Sequence, residues 1–166
     1  MDVTIEPIRI EQKSVLMQMM ELYSYDFSAY SDDDLNECGY FGYPCIDAYW
    51  NEPGRHPFFI RVDGKLAGLA LVRSCSEYVQ MNAPHSMAEF FVMKKYRCKG
   101  VGRSAARMVF DRFAGGWEIA IWSNNANAKC FWSKVVEDYT AGQYERFTSM
   151  EHDVEGFSFQ TSTPSV

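Results

Sequence analysis

The chain has 166 residues, a net charge of -6 and 47% apolar residues. This length suits one compact domain with a real core, and the apolar share excludes disorder over most of the chain. The acidic balance argues against a general nucleic-acid binder, because phosphate binding needs a basic surface. We expect neither a signal sequence nor a membrane span, and five cysteines at irregular spacing, without a C-x-x-C pair, are typical of a reduced cytoplasmic protein without structural zinc.

The first half of the chain predicts a strand, a helix, a long loop and a hairpin. Residues 3–8 alternate as a short strand does, and from Glu11 onward apolar residues recur at helical spacing. Residues 39–57 are rich in aromatics, Gly and Pro, which indicates a loop with one short helical turn. Two apolar runs around the turn dipeptide Asp63-Gly64 predict the hairpin.

A strand–loop–helix–strand unit is predicted at the centre. Residues 88–93 are almost continuously apolar, as in a buried strand. After a glycine loop, residues 101–113 carry a helical apolar stripe that we expect to end at Gly115-Gly116. Residues 117–122 then predict the next strand.

The last part of the chain predicts a helix and two strands. Residues 123–135 open with capping residues and indicate a short helix. We expect residues 139–160 to form an antiparallel pair that turns near Glu155-Gly156, and residues 161–166 to fray. Without repeats or linkers, residues 1–166 are expected to form a single domain.

The segment YRCKGVGRSA, residues 96–105, is typical of an anion-binding loop at the start of a helix. Glycines let the main chain approach a ligand closely, and the free N–H groups at a helix N-terminus attract negative charge. Arg97, Lys99 and Arg103 add positive charge. The residues alone therefore predict an anionic ligand that contains a pyrophosphate.

Other interpretations of this loop fit less well. A Walker A loop needs Gly-Lys-[Ser/Thr], whereas Arg103 follows the second glycine. Gly100-x-Gly102-x-x-Ala105 satisfies the permissive dinucleotide-binding pattern, but a polar segment separates it from its strand and the acidic residue expected at the end of the next strand is missing. An ordinary glycine turn at a basic helix start remains an alternative.

Two motifs resemble the acyl-coenzyme A-binding motifs of the GNAT superfamily of N-acetyltransferases. In that family a central strand ends in V-x-P-x-Y-R-G-x-G-x-G or a close variant, and the matching residues here are Val92, Tyr96, Arg97, Gly100 and Gly102. The second family motif is N-x-x-A-x-x-F-[YF]-x-K, matched by Asn125, Ala128, Phe131, Trp132 and Lys134. The order of elements over about residues 3–160 is similar to the family as well.

The resemblance implies an α/β (α+β) GNAT-like fold, in which helices flank a central, mostly antiparallel mixed sheet. It implies acetyl-CoA as the cofactor, with its pantetheine arm on the backbone of Val92 and its pyrophosphate in the glycine loop. The implied cofactor-binding residues are Phe91, Val92, Met93, Arg97, Cys98, Lys99, Gly100, Val101, Gly102, Arg103, Ser104, Asn125, Ala128, Phe131 and Trp132. Because many relatives pair, a homodimer is also expected.

Acetyl transfer to an ammonium acceptor requires a group that takes a proton, and a carboxylate is the usual one. Glu89 is the candidate because it is acidic in an otherwise apolar strand; the alternative is that it points outward or pairs with a basic residue. Spermidine/spermine acetyltransferases carry two adjacent acidic residues here, and Ala88 replaces the first. His85 and Glu77 are weaker candidates.

The departing thiolate often takes a proton from a tyrosine of the second motif in this family. Trp132 stands at that place, and an indole N–H is not a useful acid. Tyr139 and Tyr144 are therefore the candidate proton donors.

Aromatic and acidic residues between the first helix and the hairpin favour a cationic or ring-bearing acceptor. They are Tyr40, Phe41, Tyr43, Tyr49 and Trp50, with Asp32, Asp33, Asp34 and Glu37. Together with the resemblance, these residues predict a cytoplasmic N-acetyltransferase that acts on a primary amine of a small molecule. A non-catalytic acyl-CoA-binding sensor is the alternative that Ala88 and Trp132 favour, and an NAD-binding Rossmann-type oxidoreductase is a weaker one.

Overall fold

The computed structural model describes residues 1–75, 78 and 85–162. Over these residues the strands and helices follow in the order β1 (Val3–Pro7), α1 (Lys13–Phe27), α2 (Ala48–Asn51), β2 (Arg55–Val62), β3 (Lys65–Arg73), β4 (His85–Val92), α3 (Val101–Phe110), β5 (Gly115–Trp122), α4 (Ala126–Thr140), β6 (Tyr144–Ser149) and β7 (Val154–Thr161). The predicted hairpin and the central strand–loop–helix–strand unit are confirmed. Within the same residues, no helix is both long and apolar enough to cross a membrane.

The strands form one seven-stranded sheet in the order β1-β2-β3-β4-β5-β7-β6. Neighbouring strands run antiparallel except for β4 and β5, which are parallel and joined by α3. This mixed sheet confirms the predicted fold class. A doubly wound dinucleotide-binding fold needs a mostly parallel sheet, so the Rossmann-type alternative is wrong.

Helices cover both faces of the sheet, because the side chains of a strand alternate between its two faces. On β2, Phe59 packs with Leu16 and Met20 of α1. Its neighbour Ile60 packs on the other side, in the cluster that contains Val109 of α3. The core is therefore divided into two layers, and each layer positions one half of the site described below.

The parallel pair β4–β5 separates soon after it forms. Only His85↔Trp117 and Ser86↔Glu118 are in register. Beyond Ser86 the edge of β4 that faces β5 lacks a strand partner among the described residues, although β4 continues to Val92 and its other edge pairs with β3 between Ser86 and Val92. The sheet therefore opens into a gap between its two central strands.

The last turn of the chain lies at a different place from the predicted one. The chain turns after Ser149 and before Val154, while Glu155 and Gly156 lie inside β7. Gly156 is required there for another reason: a Cβ atom on it would lie 2.0 Å from the carbonyl oxygen of Ile119. Glycine thus marks a close approach of two strands rather than a turn.

Both central helices also differ in length from the prediction. Helix α3 ends at Phe110, and the glycines at 115–116 open β5 instead of stopping the helix. Helix α4 has 15 residues and extends to Thr140, so Tyr139 is helical rather than part of the final strand pair.

Candidate active site

A cavity of about 500 Å³ lies at the gap between β4 and β5. Its walls come from both faces of the sheet, which can meet because the two strands have separated. The residues from α1, the following loop and the strands include Tyr23, Phe27, Asp33, Asp34, Phe41, Tyr43, Arg73 and Glu89, and those from the start of α4 are Asn125, Ala128 and Trp132. The cavity therefore joins the candidate catalytic carboxylate to the second sequence motif.

Glu89 is turned into this cavity and held by two tyrosines. Its place two residues before Phe91 puts it on the α1 face of β4. The hydroxyl of Tyr23 on α1 donates to its Oε2 at 2.5 Å, and the hydroxyl of Tyr43 donates to its Oε1 at 2.8 Å. The outward-pointing alternative for Glu89 is therefore wrong.

The electrostatics keep these phenols protonated. Burial raises the pKa of Tyr23 well above its usual value, and the negative charge of Glu89 raises it further. The pKa of Tyr43 is raised by the same two causes in the same order. Each phenol therefore remains a hydrogen-bond donor to the carboxylate near neutral pH.

Tyr49 lies behind this group on α2. Burial raises the pKa of its phenol, and the guanidinium of Arg73 opposes that shift. Arg73 also lines the cavity, so one cation stands among the carboxylates of the site.

The loop after α1 forms one wall and is fixed by Glu21. Its carboxylate accepts hydrogen bonds from the N–H groups of Phe41 and Gly42, at 2.8 and 2.9 Å. Phe41 and Tyr43 line the cavity with Asp33 and Asp34, so four of the residues suggested for the acceptor lie at this cavity.

The remaining predicted acceptor residues lie elsewhere. Trp50 donates from its indole N–H to the carbonyl oxygen of Ile8 at 3.0 Å. Tyr40 is 51% exposed. Asp32 and Glu37 are exposed, and neither Tyr40 nor Glu37 is among the cavity-lining residues.

The glycine loop enters α3 with a free helix N-terminus. Gly100 is the residue before the helix, with φ +82°, and the first helical N–H to bond back is that of Ser104, to Gly100. The N–H groups of Val101, Gly102 and Arg103 precede it and are available to a ligand. Cys98 also has positive φ, 57°, a conformation that glycine adopts without strain.

The glycine loop packs closely against the second motif at Gly102. A Cβ atom there would lie 3.0 Å from the ring of Phe131 and 3.6 Å from the side chain of Val92. The start of α3, the end of β4 and the first turns of α4 therefore meet at one point, and glycine is the residue that fits between them.

All three basic side chains of the loop have partners within the protein. Arg97 donates to Asp26 and to the carbonyl oxygen of Val92, both at 2.6 Å. Arg103 forms a salt bridge with Asp138 at 3.2 Å, and Lys99 donates to the carbonyl oxygen of Lys95 at 2.9 Å. Binding of an anion through these side chains would exchange these contacts.

The second motif has both a structural and a cavity-lining part. Asn125 is buried and caps α4, because its Oδ1 accepts the N–H of Ala128 at 2.9 Å. Trp132 lies on the cavity wall and packs edge-on against Phe90, with ring centroids 5.1 Å apart. Phe131 stacks on the same ring at 5.8 Å.

Other sequence candidates lie away from the cavity. The Tyr139 hydroxyl donates to Asp111 at 2.8 Å, and burial together with this contact raises its pKa. Tyr144 packs on Phe157 with ring centroids 5.4 Å apart. Neither tyrosine lines the cavity, so the structure does not bring the two candidate proton donors to the carboxylate.

Of the weaker base candidates, His85 does not line the cavity. His85 begins β4, where its Nδ1 lies 3.3 Å from the hydroxyl of Ser74 and its Nε2 lies 3.2 Å from the carbonyl oxygen of Ala114. Glu77 lies outside the described residues.

The sequence pattern does not identify several residues of the site, among them Tyr23, Asp26 and Arg73. The pattern shows Tyr23 and Asp26 only as parts of a helix, and Arg73 only as the end of a hairpin. The available signal is weak: Tyr23 is a polar-tipped residue in the apolar stripe of α1, at a position that faces β4.

Comparison with known proteins gives one family. The sequence model of the acetyltransferase (GNAT) family matches residues 16–135. No curated protein matches the chain in sequence.

Solved structures with this fold are similar over nearly the whole chain. An acetyltransferase from Thermus thermophilus has a TM-score of 0.72 at 11% identity, covering 97% of this chain and 98% of that one. The ribosomal-protein-S18-alanine N-acetyltransferase from Escherichia coli has a TM-score of 0.59 at 12% identity, covering 99% and 97%. The PaiA N-acetyltransferase from Thermoplasma acidophilum, solved in complex with coenzyme A, has a TM-score of 0.63 at 10% identity, covering 97% and 100%.

Proposed function

Because the chain belongs to the acetyltransferase (GNAT) family, whose cofactor is acetyl-CoA, we propose that it acetylates a primary amine of a small cationic or aromatic molecule. The observation that carries this proposal is the carboxylate of Glu89, held by Tyr23 and Tyr43 in the cavity between β4 and β5. When bound, acetyl-CoA supplies the acetyl group as a thioester, and coenzyme A leaves as the thiol.

Two features of the chain fit this cofactor. A diphosphate needs several donors close together, and the free N–H groups of Val101, Gly102 and Arg103 meet that need at a helix N-terminus. An amide-bearing arm needs an open strand edge, and β4 has one beyond Ser86. These features support binding through residues 97–104 and the main chain of Val92.

The second motif would complete the cofactor site from the other wall. Asn125, Ala128 and Trp132 line the cavity next to the gap. Phe131 closes the space beside Gly102. At Phe91 and Met93, the N–H of Met93 donates to Ala67 of β3 and the side chain of Phe91 packs against α1, so both groups are already engaged within the protein.

Glu89 would accept the proton that an ammonium acceptor must lose before its nitrogen can attack. In the transfer, the amine nitrogen would bond to the acetyl carbon as the carbon–sulfur bond breaks. Oε1 or Oε2 of Glu89 would hold the ammonium proton, and the second proton that the nitrogen loses would pass to the departing sulfur, so that coenzyme A leaves as the thiol. The two phenols orient the carboxylate for this step. Asp33 and Asp34 favour a cationic acceptor, and Phe27, Phe41 and Trp122 supply aromatic walls for it.

The test is acetyl transfer by the Glu89→Gln variant, which retains the shape of the side chain and removes its basicity. General-base catalysis contributes about 10²- to 10⁴-fold, so kcat/KM should fall by about that factor. Glu145→Gln, an exposed position on β6, is the matched control and should leave kcat/KM unchanged. Full activity in Glu89→Gln would contradict the proposed role, and cofactor binding without turnover of any amine would favour the non-catalytic sensor.

A further inference from the structure

Arg97 is held on the α1 face of the sheet. Its Nε–H donates to the carbonyl oxygen of Val92 at 2.6 Å, and its Nη2–H donates to Oδ2 of Asp26 at 2.6 Å. The guanidinium also lies over the ring of Phe91, 5.6 Å from the centroid. Contacts from α1 and β4 therefore fix a side chain that belongs to the glycine loop.

The Val92 carbonyl lies on the open edge of β4. The N–H of the next residue, Met93, donates to the carbonyl oxygen of Ala67 on β3, one residue before Gly68, the partner of Val92. Because main-chain groups of successive strand residues point to opposite sides, the Val92 carbonyl faces away from β3 and toward the gap. Arg97 thus occupies an acceptor that an extended ligand along β4 would need.

Asp26 is the acidic residue that holds Arg97 in this position. Its carboxylate also lies 3.6 Å from Nζ of Lys94. The side chains of Asp26 and Arg97 are only 28% and 37% exposed, so salt screens this pair less than a fully exposed one. A diphosphate that reaches the loop offers the same guanidinium a second anion, and it competes with the carboxylate.

The same helix also positions Glu89. Tyr23 precedes Asp26 by three residues, so the two side chains are neighbours on the surface of α1. Tyr23 donates to Glu89. One turn of α1 therefore contacts both Glu89, through Tyr23, and Arg97, through Asp26.

We propose that Asp26 is a positioning residue that sets the affinity for the cofactor: it retains Arg97 on the edge of β4, and coenzyme A must displace Arg97 to bind. The proposal rests on the proposed function, since it requires a cofactor that binds along β4.

The test is calorimetric titration of coenzyme A into Asp26→Asn, which removes the charge and retains the shape. Because the energy of a partly exposed ion pair corresponds to a change in affinity of up to about fivefold, the variant should bind coenzyme A about fivefold more tightly than the wild type. The matched control is Glu52→Gln, which also removes one carboxylate from an arginine pair, with Arg55 at 2.9 Å. It should leave the dissociation constant unchanged.

A double-mutant cycle separates this role from a general effect of charge. In the Arg97→Gln background, Asp26→Asn should no longer change the affinity for coenzyme A. Should Asp26→Asn fail to fold, Asp26→Ser serves instead, because it also removes the charge that holds Arg97 and leaves Arg97 itself unchanged; it should bind coenzyme A more tightly than the wild type.

Unchanged or weaker binding by Asp26→Asn, or by Asp26→Ser in its place, would overturn this proposal alone. A wild-type protein that binds no coenzyme A would contradict the proposed function and this proposal together.

Discussion

Cys98→Gly should stabilise the protein, although it removes a side chain. Cys98 has φ 57° in the loop before α3 and is exposed, so its side chain is not part of the core. A non-glycine residue in the left-handed conformation costs about 1–2 kcal/mol. The strain at this position would be relieved by glycine.

The net gain is smaller than the relief of strain. Ordering a glycine costs about 0.5–1 kcal/mol more than ordering another residue, because the unfolded chain is freer at glycine. Subtracting this cost from the relieved strain leaves an increase of about 0.5–1 kcal/mol in the free energy of unfolding. For a chain of 166 residues, at about 2–4 °C per kcal/mol, the melting temperature should rise by about 1–4 °C.

The assay is thermal unfolding of a series at this position under reducing conditions. Cys98→Asn should fall between glycine and the wild type, and Cys98→Val should be the least stable, because a β-branched residue tolerates positive φ worst. The matched control is Cys130→Gly, at an exposed position inside α4, which should cost about 1 kcal/mol. A lower melting temperature for Cys98→Gly than for the wild type would refute the proposed strain at this position. Equal melting temperatures for Cys98→Val and Cys98→Gly would refute it as well.

Two further predictions concern the loop and the far end of β4. Gly102→Leu should weaken coenzyme A binding at least about tenfold, measured by calorimetry, because a side chain 3.0 Å from the ring of Phe131 keeps the backbone from a diphosphate; unchanged affinity would contradict this. Burial lowers the pKa of His56 and of His85. Below about pH 6.5 the unfolded chain therefore binds more protons than the folded one, and the free energy of unfolding decreases as the pH is lowered. Urea unfolding between about pH 7.5 and 5.5 should show this fall, and replacing both histidines with glutamine should reduce it; an equally steep fall in that variant would argue against the histidines as its source.

The helix starts at the candidate cofactor loop could be predicted because their signals are local. Gly100 and Gly102 stand where the chain enters a helix, and Asn125 caps the next one. Helix starts depend on residues a few positions apart, so spacing in the sequence carries over directly into geometry.

The acceptor half could not be predicted in the same way. The partners of Glu89 are 66 and 46 residues away in the sequence, and Asp26 is 71 residues from Arg97. Such contacts depend on how α1 and its loop pack across the sheet, which no local pattern specifies. For the same reason Tyr139 could be named as a proton donor, although its hydroxyl lies on Asp111.

Gly156 shows that one residue type can satisfy two different physical needs. Glycine next to an acidic residue suggested a turn, whereas the structure requires it because two strands approach closely. Only the pairing of β5 with β7 distinguishes the two.

The most direct test of the proposed activity is an assay in which the wild-type protein is incubated with acetyl-CoA and each of a set of primary amines. Released thiol and acetylated amine are measured in the same sample. We predict thiol release that requires an amine, with one amide formed for each thiol, and the highest rate for a cationic or aromatic amine. Tight binding of acetyl-CoA with no amide above the uncatalysed level would contradict the assignment of Glu89 and its cavity as a catalytic site.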